Sequence, residues 1–104
     1  MNPWAILVLA GIFEVVWAIA LKNSEGFTRP LWSAVVVAGT VASFWLLARA
    51  MTDLPAGTAY AVWVGIGAIG VAVLGVVFFN ESATPLRLAG LGLIVAGIAA
   101  LKLG

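Results

Sequence analysis

Residues 4–21 read WAILVLAGIFEVVWAIAL, eighteen positions in which Glu14 is the one charge. A run of that length with so few polar groups is a candidate membrane-spanning helix, and the carboxylate inside it sets the question for the rest of the chain. Glu14 lies ten residues past Trp4. At ~1.5 Å per residue it is ~15 Å deep, near the middle of a ~30 Å hydrocarbon core. A carboxylate at that depth is costly unless it is paired, protonated or wetted by a cavity.

Outward from this stretch the pattern repeats three times. Residues 31–48 are eighteen uncharged positions, and 27 more lie between Asp53 and Glu81, enough for a tilted or kinked span with both carboxylates at the water boundary. A fourth run, 88–101, is short, but Arg87 and Lys102 can snorkel from its ends. The expected architecture is an all-α membrane protein, one transmembrane domain over 1–104 with helices at about 4–21, 31–51, 55–79 and 86–103. The connections carry turn chemistry: Lys22-Asn23-Ser24-Glu25-Gly26 before Pro30, Thr52-Asp53-Leu54-Pro55, and Asn80-Glu81-Ser82 before Pro85. Connections this short make neighbouring helices antiparallel. The N-terminus lacks a basic n-region and its apolar stretch is of spanning length, so it is expected to be retained rather than cleaved.

Composition agrees and excludes much else. Of 104 residues, 64% are hydrophobic and 9% charged, and a mean hydropathy of +1.21 is far above that of a soluble domain. Five basic and four acidic residues form no phosphate-neutralising patch, so no nucleic-acid partner is expected. The absence of Cys and His removes disulfides, thiol chemistry, the usual zinc ligands and His-based acid–base catalysis. Neither an enzyme nor a metal or other cofactor is expected. Gly65-Ile66-Gly67 lies inside a membrane run and is not a nucleotide-binding motif.

Four spans use about 80 residues and leave little interior for a water-filled path, so a transport function points to an oligomer with its site between subunits. The face holding the N-terminus, second connection and C-terminus carries Arg49 and Lys102, against Lys22, Arg29 and Arg87 on the other. That is a very weak orientation bias. Either the first helix or the terminal amine settles one topology, or copies insert both ways and pair antiparallel.

No basic residue lies as deep as Glu14. A proton and an external cation are then the two obvious ways to satisfy it, and their competition for one carboxylate would make a proton-coupled cation exchanger. The bland alternative is a neutral Glu that donates a hydrogen bond between helices of a membrane scaffold. Ala10, Gly11 and Ala18 place small residues beside Glu14, with Trp17 one turn away. In the second helix Gly39, Thr40 and Ser43 form a small, weakly polar face, from which Ser43 could donate to a carboxylate; such faces also serve plain packing. Tyr60 and Trp63 share a face of the third helix and offer the aromatic walls that suit an organic cation. Gly65 and Gly67 read equally as a bend point for a conformational switch or as close packing. On the fourth helix Gly90, Leu93, Ile94 and Gly97 make a narrow heptad-spaced seam, best used for dimerisation.

These residues together resemble the small multidrug resistance transporters along essentially the whole chain. The resemblance is carried by the Met1-Asn2-Pro3 start, Glu14, Lys22 and Ser24-Glu25-Gly26-Phe27-Thr28-Arg29. It continues through Ser43-Phe44-Trp45-Leu46-Leu47-Ala48, Gly57-Thr58-Ala59-Tyr60-Ala61-Val62-Trp63 with Gly65 and Gly67, and Gly90-Leu91, Leu93-Ile94 and Gly97. It implies an antiparallel, dual-topology homodimer in a bacterial inner membrane, whose two copies of Glu14 form one site that exchanges protons for a cation by alternating access. Trp17-Ala18 is similar to the branch that exports guanidinium, where a Trp at that position orders the site by hydrogen bonding with the Glu and the helix-two Ser, here Glu14 and Ser43. The alternative within the family is a broad exporter of quaternary ammonium and other drug cations.

Overall fold

Proline opens three of the four helices. In the computed structural model, which describes residues 2–104, the chain forms α1 (Pro3–Asn23), α2 (Pro30–Ala50), α3 (Ala56–Phe78) and α4 (Pro85–Leu103). Met1, the first residue of the resemblance above, lies outside the described residues. Pro3, Pro30 and Pro85 occupy first-turn positions, where a missing N–H costs nothing because it would have no helical acceptor. The Asn2 side chain accepts from Trp4 N–H at 2.7 Å and the Thr84 hydroxyl from Arg87 N–H at 3.2 Å, satisfying further orphan donors. Lys22, Arg49 and Lys102 sit in the last turns of α1, α2 and α4, where a cation complements the helix dipole.

The helices contain 21, 21, 23 and 19 residues, and all four are long and apolar enough to cross a membrane. At ~1.5 Å per residue they measure roughly 28–35 Å, matching a ~30 Å core. The chain is a multi-pass membrane protein. Ser24 organises the first connection: its hydroxyl donates to the Leu21 carbonyl at 2.7 Å and accepts from Phe27 N–H at 3.1 Å. Its own carbonyl accepts from the amides of Thr28 and Arg29. This allows Glu25, Gly26 and Phe27 to take positive φ in succession.

Helix α1 is the hub. It packs against α2 along most of its length and against α3, whereas α4 packs closely on α3 alone. The main buried cluster lies toward one end of the bundle, with Ala20 and Val36 buried separately toward the other. The main cluster consists of Leu7 and Ala10 from the first half of α1, Leu47 and Ala50 from the second half of α2, and Ala59, Val62 and Trp63 from the first half of α3. That assortment is what antiparallel neighbours bring to one membrane face. The whole is a slab only 18 Å thick, and α4 buries none of its residues.

The expected seam on α4 divides into two faces. Ile94 turns inward, its Cγ2 within 3.2 Å of where a Cβ on Gly65 would stand, and Ile98 joins it there. Gly90, Leu93 and Gly97 lie on the exposed side, and a Cβ at either glycine would meet nothing within 4 Å among the described residues. The reason is angular. Leu91, Ile94 and Ile98 follow one i, i+3, i+7 stripe toward α3, and Gly90, Leu93 and Gly97 follow a second stripe turned away from it.

Candidate functional site

Glu14 sits midway along α1 and turns into the seam with α3. A Cβ at Gly67 would collide with the Glu14 carboxylate, so the glycine is what lets the acid lie against the α3 backbone. Similar clearances recur along α3: a Cβ on Gly65 would meet Ile98, and one on Gly70 would strike Val15. Helix α3 runs unbroken through Gly65 and Gly67. In this conformation these two residues act through close approach within a continuous helix.

One carboxylate oxygen of Glu14, Oε1, is buried and makes no hydrogen bond within the chain. The Trp17 indole nitrogen is likewise buried and unpartnered. An acceptor and a donor one helical turn apart are thus both without a hydrogen-bond partner among the described residues. Glu14 also lines an open groove of about 470 Å³ with Ala18, Gly67, Ala68, Ala72 and Glu81. Small side chains make up half of its lining, with Val64 and Val71 beside them.

The hydrogen-bonded trio expected of Glu14, Trp17 and Ser43 does not form. Ser43 is fully buried; its hydroxyl donates to the Ala10 carbonyl at 2.7 Å and accepts from Trp63 Nε1 at 2.9 Å. The single hydroxyl proton is committed to that carbonyl, so Ser43 has none left for the carboxylate. Ala10 is four residues before Glu14, so the contact braces the helical turn that carries the acid. Trp63 is thereby a buried brace as well as an aromatic wall. Gly11, expected beside the ligand, instead faces Ile66: a Cβ on it would lie 2.6 Å from that side chain's Cγ2. It belongs to the α1–α3 contact and not to the lining of the groove.

Aromatic rings form a continuous chain that the sequence reading resolved only in part. Trp17 meets Phe44 edge-on at 6.4 Å, Phe44 meets Trp63 at 5.5 Å, and Trp63 meets Tyr60 at 5.6 Å. Phe44 is the link that was missed, although its position next to Ser43 could have suggested it. Tyr60 remains 55% exposed and Trp63 is buried, so the end of this chain is open to a ligand or a second subunit. Glu81, read in the sequence only as the boundary of a span, is the other missed residue. No cluster of His, Cys, Asp or Glu suited to a metal ion occurs among the described residues.

The profile of the family described as Small Multidrug Resistance protein matches residues 2–94. The chain belongs to the small multidrug resistance family. Near-full-length relatives named guanidinium exporter include the following three. That of Yersinia pseudotuberculosis serotype I is 58% identical over 100 residues, 96% of each chain. That of Escherichia coli K12 is 57% identical over 100 residues, covering 96% of this chain and 95% of its own. The Citrobacter freundii protein is 55% identical with the same coverage. As a member of the small multidrug resistance family the chain is a transporter, not an enzyme.

Proposed function

We propose that the protein exports guanidinium or small guanidinyl cations across the bacterial plasma membrane in exchange for protons. The observation that carries this reading is Glu14 at mid-span, lining an open groove and holding one buried carboxylate oxygen that has no hydrogen-bond partner among the described residues. The family and its near-full-length relatives supply the substrate class. Guanidinium is planar and presents paired N–H donors, which a carboxylate accepts in a two-pronged charge-assisted contact. A proton satisfies the same oxygens, so the two ligands exclude each other. Trp17 and the Ser43–Trp63 brace hold the site in order, Tyr60 walls it, and Gly65 and Gly67 are where α3 would flex as access alternates.

The working unit in this reading is an antiparallel, dual-topology homodimer, each subunit one four-helix domain in the lipid bilayer. Three features support it: the 18 Å slab is too thin to enclose a site, the outer stripe Gly90, Leu93 and Gly97 is bare, and the two faces carry nearly equal positive charge. Ile94 contributes by setting α4 on α3. Two copies of Glu14 then share one cation, and two protons return per guanidinium exported. Purified protein in sealed vesicles is the test, with proton movement recorded during uptake of guanidinium, alkylguanidiniums and tetraalkylammoniums. Guanidinium-coupled flux at two protons per cation is expected, with tetraalkylammoniums weak. A ratio of one would break the stoichiometry, and preference for large cations without N–H donors would favour the multidrug reading. Cation binding without proton movement would leave a scaffold.

A further inference from the structure

The turn after α3 doubles back over its own helix. The amides of Phe79 and Glu81 both donate to the Gly75 carbonyl, at 3.0 and 3.2 Å, and Asn80 takes a positive φ of 54° to allow it. The reversal lays the Glu81 carboxyl directly over Gly75. A Cβ there would stand 2.6 Å from Glu81 Oε1 and 2.8 Å from Oε2, so the glycine is the cradle that admits the acid. Glu81 and Glu14 consequently line one and the same groove, Glu14 from midway along α1 and Glu81 from the turn after α3.

Neighbouring cations do not neutralise Glu81. Arg87 shares a small adjoining pocket with it, yet its guanidinium donates to the Ser82 carbonyl at 3.4 Å. Lys22 lies over the Phe79 ring, 5.1 Å from its centre. Among the described residues the ion pair present is Glu25 with Arg29. An exposed carboxylate with no ion-pair partner among the described residues therefore lines the same groove as Glu14.

We propose that Glu81 is a positioning residue for transport: it attracts the hydrated guanidinium-class cation to the groove and directs it toward Glu14. A charge beside low-dielectric walls raises the local concentration of its counter-ion, and the effect fades as salt screens it. This rests on the exporter reading above.

The test is guanidinium-driven proton flux in proteoliposomes carrying full-length protein, measured at low and high ionic strength. Glu81→Gln is expected to raise KM about threefold to tenfold at low salt with kcat unchanged, the gap closing at high salt. Gly75→Ala, which pushes the carboxyl out of its cradle, is expected to do the same while leaving the charge in the chain, and Glu81→Asp to recover part of the affinity. A wild-type KM for Glu81→Gln at low salt, or a fall in kcat with KM unchanged, would overturn the proposal. A wild-type protein without guanidinium-coupled flux would overturn the exporter reading itself, and this inference with it.

Discussion

Ser43 uses its donor and its acceptor within the chain, whereas Glu14, one helical turn beyond the carbonyl that Ser43 holds, keeps a buried oxygen without a partner. The two belong to opposite halves of the bundle. Around Ser43 the helices are closed by Leu7, Ala10, Leu47, Ala59, Val62 and Trp63. Toward the other membrane face the seam between α1 and α3 opens into the groove of Glu14 and Glu81. Buried polar groups left unpaired cost about 1–3 kcal/mol each, so a fold that satisfies one completely and leaves the next free is consistent with the proposal that the second meets a ligand. In the proposed reading, the part closed around Ser43 is the frame and the groove of Glu14 is the site.

The contrast breaks most sharply at Glu14. Glu14→Gln is expected to reduce guanidinium-coupled proton flux to the protein-free background while the far-ultraviolet helix signal is kept; residual coupled flux would mean the carboxylate is not the shared site. Gly67→Ala attacks the same point from α3. Its methyl displaces the Glu14 carboxylate from the α3 backbone, so transport is expected to fall, while the displaced side chain can swing away and keep the overpacking cost to about 1 kcal/mol.

The closed half responds differently. Ser43→Ala leaves the Trp63 indole N–H without its acceptor and the Ala10 carbonyl without an interhelical donor, so about 1–3 kcal/mol of stability should be lost in detergent unfolding. Glu14 remains present, so coupled flux at temperatures where the protein is folded should persist. Trp17→Phe sharpens the comparison from the other side. Its indole nitrogen has no partner to lose, so the stability cost should be that of the smaller ring alone, about 1 kcal/mol, while the preference for guanidinium over bulkier cations weakens. A large destabilisation by Trp17→Phe would show that the nitrogen is bonded after all.

The least effect is expected at Glu25 and Arg29, whose 3.4 Å ion pair lies exposed in the first connection. Arg29→Ala should change stability by under about 1 kcal/mol, since exposed pairs gain little in water. Its value is as a control for charge removal outside both halves.

The four apolar runs and the one deep carboxylate were legible because a membrane demands long uncharged segments and makes any exception conspicuous. Which way each helix faces was not. These helices are apolar all round, so the periodicity that would point a face toward the core is nearly absent, and rotation about each axis is decided by close tertiary contacts. That is why Gly11 could be read as a ligand neighbour when it meets Ile66, and Ile94 as part of an outer stripe when it packs on Gly65. Ser43 was recognised as a donor, but its acceptor is a backbone carbonyl that no side-chain pattern reveals. Glu81 looked like a span boundary because the sequence does not record that the turn after α3 folds back on Gly75.

The central claim is that one carboxylate serves both proton and cation. Calorimetric titration of purified protein with guanidinium, repeated in buffers of different ionisation enthalpy, counts the protons released on binding. The wild-type protein is expected to release protons as guanidinium binds, with apparent affinity weakening as pH falls, and Glu14→Gln to show neither. Guanidinium binding of unchanged strength at every pH without proton release, or equal binding by Glu14→Gln, would contradict it.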